Sequence, residues 1–123
     1  MSAAPLISIV DDDDSLRNSL NNLIRSVGLG VQGFASAEAF LDSHQRHETA
    51  CLLLDVRMPG MGGLDLQRQL GADHCRIPII FITAHGDDHA RARALAAGAV
   101  AFLDKPFREE ALLQAIDSAL HRS

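Results

Sequence analysis

Tryptophan and tyrosine are absent from the 123 residues, and five phenylalanines are the whole aromatic complement. So few rings cannot form a platform of interleaved aromatics for stacking nucleobases, and the core has to be mainly aliphatic and alanine. Long apolar runs are missing too: none approaches the roughly 20 residues that cross a bilayer. Residues 1–5 lack the basic stretch and apolar segment of a secretory leader. Membrane insertion and export are therefore not expected, and the expected location is the cytoplasm. Cysteine is scarce, with Cys51 inside an apolar run and Cys75 beside Arg76, and the two lack the paired spacing of a zinc site or redox motif. Both are read as free thiols of a reducing compartment. Positive charge is in deficit, with 11 basic against 16 acidic residues and a net charge of −5. That balance opposes a phosphate backbone, so direct binding to nucleic acid is not expected.

What the chain does have is an apolar share of 47% and a mean hydropathy of +0.07, the composition of an ordinary globule. Its length suits one domain, taken as residues 1–123, with no second domain in this chain. Five short apolar runs recur: LISIV at 6–10, VQGF at 31–34, ACLLL at 50–54, IIFI at 79–82 and VAFL at 100–103. Their starts lie 25, 19, 29 and 21 residues apart, and each interval exceeds the dozen or so residues of a parallel crossover. The runs lack clean alternation, as strands buried on both faces do.

Helical signals fill the intervals. Leu16, Leu20, Leu23, Ile24 and Val27 form one stripe ending at Gly28. Ser36 can cap a short helix holding Ala37, Phe40 and Leu41, and Leu66 and Leu70 mark a third helix ending at Gly71. A fourth, thinly apolar helix starts at Asp87 and ends at Gly98, and a fifth runs from about Arg108 through Leu112, Ile116 and Leu120. The expected fold is α/β, a flavodoxin-like (βα)5 three-layer sandwich with a parallel five-stranded sheet in the order 2-1-3-4-5.

In such sheets function sits at the carboxyl ends of the strands. The first strand is followed by four aspartates from Asp11, the third by Asp55, the fourth by Thr83, and the fifth by Asp104 and Lys105, while the second ends in Ala35 and Ser36. With the second strand at the edge, the acids of strands 1 and 3 converge. Carboxylates gathered in a crevice repel one another unless a cation offsets them. Asp11, Asp12 and Asp55 against Lys105 leave two negative charges, and an all-oxygen donor set points to Mg²⁺, with Mn²⁺ as an alternative.

These residues carry a family resemblance. VDDD at the first strand, LLLDVRMPGMGG at the third, FITAHGD at the fourth and FLDKPF at the fifth resemble a response-regulator receiver domain of two-component systems, over the whole chain. With SAEAFL at 36–41, the wording is most similar to receivers of nitrogen-fixation-type transcription regulators. The resemblance implies that a sensor histidine kinase phosphorylates Asp55, and that Asp12, Asp55 and the backbone carbonyl of Arg57 hold Mg²⁺, with Asp11 acting partly through water. It also implies that Lys105 and Thr83 contact the phosphoryl group, that Thr83 and Phe102 form the switch, and that Lys105–Pro106 is cis. Phe102 stands where the family often has tyrosine, and Gly62 where it usually has a polar residue. Arg57 and His85, each two residues beyond a site residue, are expected to set phosphoryl lifetime. A homodimer is expected on phosphorylation through helix 4 and strand 5, with Val100 exposed and Arg91 and Arg93 at the rim. In the resembling group a helix-turn-helix output domain commonly follows, so the stop after helix 5 is read as favouring a fragment.

Simpler readings compete. Four consecutive aspartates often only cap a helix, and Asp13 or Asp14 is expected to do so here. His44 with His47, and His85 with His89, have metal-like spacing but no third ligand, and are read as surface residues. An aspartate-nucleophile small-molecule phosphatase usually needs an acid two residues after the nucleophile, where this chain has Arg57. A stand-alone adaptor has no need of Asp55, Thr83 and Lys105 together.

Overall fold

The computed structural model describes residues 4–84 and 87–121. Five strands, β1 (Leu6–Val10), β2 (Gly30–Phe34), β3 (Thr49–Leu54), β4 (Ile79–Thr83) and β5 (Ala101–Asp104), alternate with α1 (Asp14–Ser26), α2 (Ala37–Leu41), α3 (Gly63–Ala72), α4 (Asp88–Ala96) and α5 (Glu109–Leu120). All strand pairs are parallel, in the order β2-β1-β3-β4-β5. This is the expected flavodoxin-like sandwich.

The period-2 geometry of strands divides the apolar residues between two cores. Val10, Leu52, Leu54, Ile79 and Phe81 face α2, α3 and α4. Ile7, Ile9, Cys51, Leu53, Ile80 and Ile82 face α1 and α5. Both parities are buried, which is why the runs read as continuous rather than alternating. The helices differ in how firmly they are held. Leu20 and Ile24 of α1, and Leu112, Ile116 and Ala119 of α5, are buried, whereas α4 buries only Ala90 and Ala94 and leaves Leu95 exposed. A fully buried leucine or isoleucine is worth about 1.5–3 kcal/mol and an alanine much less, so α4 is the weakly anchored helix.

The caps follow the local sequence. Asp13 accepts from the Leu16 amide at 3.2 Å, Ser36 from Ala39 at 3.1 Å and Asp87 from Ala90 at 2.7 Å. Gly28 and Gly98 turn the chain after α1 and α4 with φ of +86° and +101°. Gly71 does not end α3; the helix continues through it to Ala72, since the glycine is exposed and nothing forces a turn there. Strand β5 lies one residue later than the apolar run, because Asp104 pairs with Thr83, and Val100 is half-buried against the α1/α5 core rather than exposed. His44 and His47 fall in a single exposed 3-10 turn, His44–His47.

One polar pair lies inside the sheet. The Thr49 hydroxyl donates to the Gln45 carbonyl at 2.6 Å, which leaves Ser8 to donate to Thr49 Oγ1 at 2.6 Å. Beside this pair the β1–β3 register shifts between Leu6 and Ile7, so Ala50 is passed over, and beyond it Ile7–Val10 run opposite Cys51–Leu54 without interruption. Among the described residues no helix is long and apolar enough to cross a membrane.

Candidate functional site

The backbone ladder continues one step past three strands and carries the charged residues with it. The Asp11 amide donates to the Phe34 carbonyl at 3.1 Å, Asp55 to Val10 at 3.1 Å and Lys105 to Thr83 at 2.8 Å. The side chains that follow the apolar runs are therefore fixed by the sheet rather than by loops. Asp11 is fully buried, Asp55 is 7% exposed and Thr83 is buried at the end of β4, while Asp12 is exposed.

Lys105 crosses from β5 to the acids, with Nζ 3.0 Å from Asp11 Oδ2 and 3.4 Å from Asp55 Oδ2. The other Asp11 oxygen accepts the Asp13 amide at 2.9 Å, and the other Asp55 oxygen accepts the Arg57 amide at 3.3 Å. Asp11 thus has both oxygens engaged by short bonds, whereas Asp55 is held by two long ones. The Lys105–Pro106 bond is cis, as the resemblance implies.

The electrostatics follow from burial. Desolvation raises the Asp11 carboxyl above its ordinary 3.8; the Asp13 amide and the Lys105 ammonium oppose the rise, and the charge of Asp55 adds to it. For Lys105 burial alone would lower the value, but the hydrogen bond it donates to Asp11 and the charges of both aspartates outweigh it and hold the ammonium above 10.5. Carboxylate oxygens of Asp11, Asp12 and Asp55 lie within 4.8 Å of one another. Among the described residues they are the one group of three or more candidate metal ligands, and the His44/His47 spacing gathers none.

The chain between Asp55 and α3 is shaped by what cannot fit. A Cβ on Gly63 would come within 2.1 Å of the Asp55 carbonyl oxygen, so only glycine allows α3 to start there, and its amide donates to Val56 at 2.9 Å. Gly62 sits at the N-cap of α3 with no side-chain cap bond. Arg57 is exposed in this segment. Two residues that the sequence did not single out act here, Arg17 and Glu38, and a third, Arg91, makes contacts other than those expected. Arg17 of α1 donates to the Asp11 carbonyl at 2.6 Å and pairs with Asp14. Glu38 of α2 accepts the Met61 amide at 3.2 Å. Arg91 of α4, expected at a free rim, is turned back onto β5, where it pairs with Asp104 at 2.8 Å. The i, i+3 spacing of Asp14 and Arg17 was a usable signal; the other two contacts join elements far apart in the chain and have none.

Phe102 is buried, with its ring 5.8 Å from that of Phe81. His85 lies outside the described residues. The structure thus brings Asp11, Asp12, Asp55 and Lys105 together beside buried Thr83, keeps Arg57 at the surface, and holds Phe102 inward.

A parallel sheet with an acidic, lysine-braced crevice at the carboxyl ends of its central strands defines the class, an α/β domain with a candidate site at the strand ends. Residues 7–117 match the family model of the response regulator receiver domain. Response regulator protein TodT of Pseudomonas putida is 53% identical over 117 residues, 95% of this chain and 52% of that protein. Transcriptional regulatory protein FixJ of Bradyrhizobium diazoefficiens is 41% identical over 95% of this chain and 57% of its own length. The solved structure of response regulator StyR superposes with a TM-score of 0.89 at 52% identity, over 96% of this chain and 60% of that one. The chain belongs to the response-regulator receiver family. It spans about half the length of the curated relatives it matches.

Proposed function

We propose that this domain accepts a phosphoryl group from a sensor histidine kinase on Asp55, and that the modification changes the surface formed by α4 and β5. The observation that carries this reading is the Lys105 ammonium between Asp11 and Asp55, 3.0 and 3.4 Å away, at the end of a sheet whose register aligns all three. In the transfer, an Asp55 carboxylate oxygen forms a bond to phosphorus as the bond from phosphorus to the kinase imidazole breaks, and the imidazole leaves with the electron pair. Asp55 suits the nucleophile because its hydrogen bonds are long, and phosphoryl transfer through a loose transition state asks mainly for positioning and charge neutralisation. Lys105 is positioned to neutralise phosphoryl oxygens, and Thr83, at the end of β4, is assigned to contact the phosphoryl group.

The donor set fits Mg²⁺, or Mn²⁺, because clustered carboxylate oxygens with a single ammonium leave negative charge for a hard divalent ion. Asp12, Asp55 and the Arg57 carbonyl would hold it, while Asp11, whose oxygens are already engaged, would act through water. The ion would neutralise phosphoryl charge and fix its orientation. Arg57 and His85 are assigned to tuning the lifetime of the phosphoryl group. The domain is thus a signalling module with self-catalysed phosphotransfer and slow dephosphorylation, rather than a turnover enzyme. Arg57 in place of a second acid disfavours the small-molecule phosphatase.

By its likeness to TodT and FixJ, we further assign it to a cytoplasmic transcription regulator, dimerising through α4 and β5, with DNA contacts left to another part of that protein. Exposed Leu95 on α4 supports this surface. The decisive experiment is intact-mass measurement after acetyl phosphate and Mg²⁺. One phosphoryl group is expected on the wild type and none on Asp55→Asn; equal labelling of both, or full labelling in excess chelator, overturns the assignment.

A further inference from the structure

Among the described residues the Arg91 guanidinium makes three contacts, all with β5. Nη2 pairs with Asp104 Oδ2 at 2.8 Å, Nη1 donates to the Phe102 carbonyl at 3.2 Å, and Cζ lies 4.9 Å from the centroid of the Phe102 ring. Two of its partners adjoin the site: Asp104 precedes Lys105, and Phe102 packs on Phe81, two residues before Thr83. Strand β5 is a sheet edge, so a carbonyl there that turns away from β4 has no strand partner, and Arg91 satisfies it from the neighbouring helix. The side chain ties to β5 a helix that buries only Ala90 and Ala94 and that Gln67 of α3 holds from the other side through the Ala94 carbonyl at 3.1 Å, while Arg93, two residues on, is exposed.

We propose that Arg91 is an autoinhibitory brace, which holds Phe102 inward and α4 against β5 until phosphorylation releases it. The proposal rests on the receiver reading and adds to it the contact that sets the resting state. The fork of the guanidinium is essential, because one planar group serves the carboxylate, the carbonyl and the ring face at once, and a lysine ammonium cannot. While the brace is closed, Arg91 and Asp104 satisfy each other within one molecule and are withheld from any second copy. A modification that draws Thr83 and β5 toward Asp55 shifts the strand under the guanidinium, and the contacts are lost together. Because a switch only redistributes existing states, weakening the closed state alone raises the open population without any phosphoryl group.

The test uses the full chain as Arg91→Ala, Arg91→Lys and Asp104→Asn, with Phe102 ring resonances assigned by Phe102→Leu. Without a phosphoryl donor, the Phe102 ring signals of Arg91→Ala are expected to shift and broaden, those of Asp104→Asn to move part of the way, and Arg91→Lys to restore little beyond Asp104→Asn. Exposed ion pairs and cation–π contacts are each worth up to about 1 kcal/mol, so acetyl phosphate should label Arg91→Ala about fivefold faster than wild type. Unchanged ring signals and unchanged labelling in Arg91→Ala overturn the brace, as does full restoration by Arg91→Lys. Should Arg91→Ala not fold, the same readouts in Asp104→Asn decide: no movement of the ring overturns the proposal. A wild type that takes up no phosphoryl group overturns the receiver reading instead, and the ring signals, read without a donor, still decide whether Arg91 holds Phe102.

Discussion

Gly63 and Gly71 belong to the same helix, yet substitution should affect them oppositely. A methyl group at Gly63 would meet the Asp55 carbonyl at 2.1 Å, backbone that cannot yield without moving the nucleophile candidate itself, whereas nothing lies within 4 Å of a Cβ at Gly71. Gly63→Ala is expected to cost upwards of about 1–3 kcal/mol by overpacking, and Gly71→Ala to stabilise by up to about 1 kcal/mol through helix propensity; urea unfolding of the two variants measures both. The cysteines separate in the same way. Burial pushes the Cys51 thiol up to about 12 from 9.0, while Cys75 is half-buried near the surface. Native protein at pH 8 should therefore take up one equivalent of a thiol reagent, at Cys75, and a second only on unfolding; prompt labelling of Cys51 in folded protein would contradict its placement. Since folded Cys51 holds its proton through a range where the unfolded thiol ionises, its share of stability is complete below pH 9 and is lost as the pH rises toward 12.

Among the elements, α4 stands apart. Its two buried alanines give it far less apolar anchorage than the leucines and isoleucines of α1 and α5. Amide hydrogen exchange should find α4 opening more readily than either, with α1 protected nearly to the global limit; equal protection of α4 and α1 would remove the basis for a mobile output helix. This weakness was legible in the sequence, because DDHARARALAAG has good helix formers but few large apolar residues. So were the strands and the residues at their ends, since a strand buried on both faces takes charge only at its ends, and the order of Asp11, Asp55, Thr83 and Lys105 along the chain maps directly onto neighbouring strands. What the sequence could not disclose were contacts that exist only after elements meet. Arg91 read as a free cation because Asp104 and Phe102 are 13 and 11 residues away, and Glu38 gave no hint of reaching Met61, 23 residues on. The Ser8–Thr49 pair lay hidden because neither hydroxyl disturbs an otherwise apolar strand pattern. Val100, expected to be exposed, is half-buried because it packs against the α1/α5 core from just before β5, a contact that the apolar run does not reveal.

The crevice that links the whole molecule to pH is also the one proposed to hold the divalent ion. Without metal, the folded state keeps the Asp11 proton longer than the unfolded chain does, so that group's share of stability is present below 3.8 and lost as pH rises through its raised folded value. Lys105, also raised, keeps its share up to 10.5 and loses it above. Mg²⁺ should compete with the Asp11 proton, so its affinity is expected to weaken as the pH falls, at a higher pH than an ordinary carboxylate would give. Thermal unfolding across a Mg²⁺ series at two pH values reads this as a metal-dependent rise in midpoint that shrinks at the lower pH; a rise that is independent of pH would argue against Asp11 as part of the ion's surroundings. The irregularity between β1 and β3 has a consequence for how this chain tolerates changes in length. Passing over Ala50 shows that the lower end of β3 can absorb a residue without disturbing what lies above, since the four pairs from Ile7 with Cys51 to Val10 with Leu54 stay aligned. An insertion before Cys51 can be taken up in the same place and leave the two acids side by side. One placed between Leu52 and Asp55 has nowhere to go, and would exchange the two cores on that strand while carrying Asp55 a full step away from Asp11.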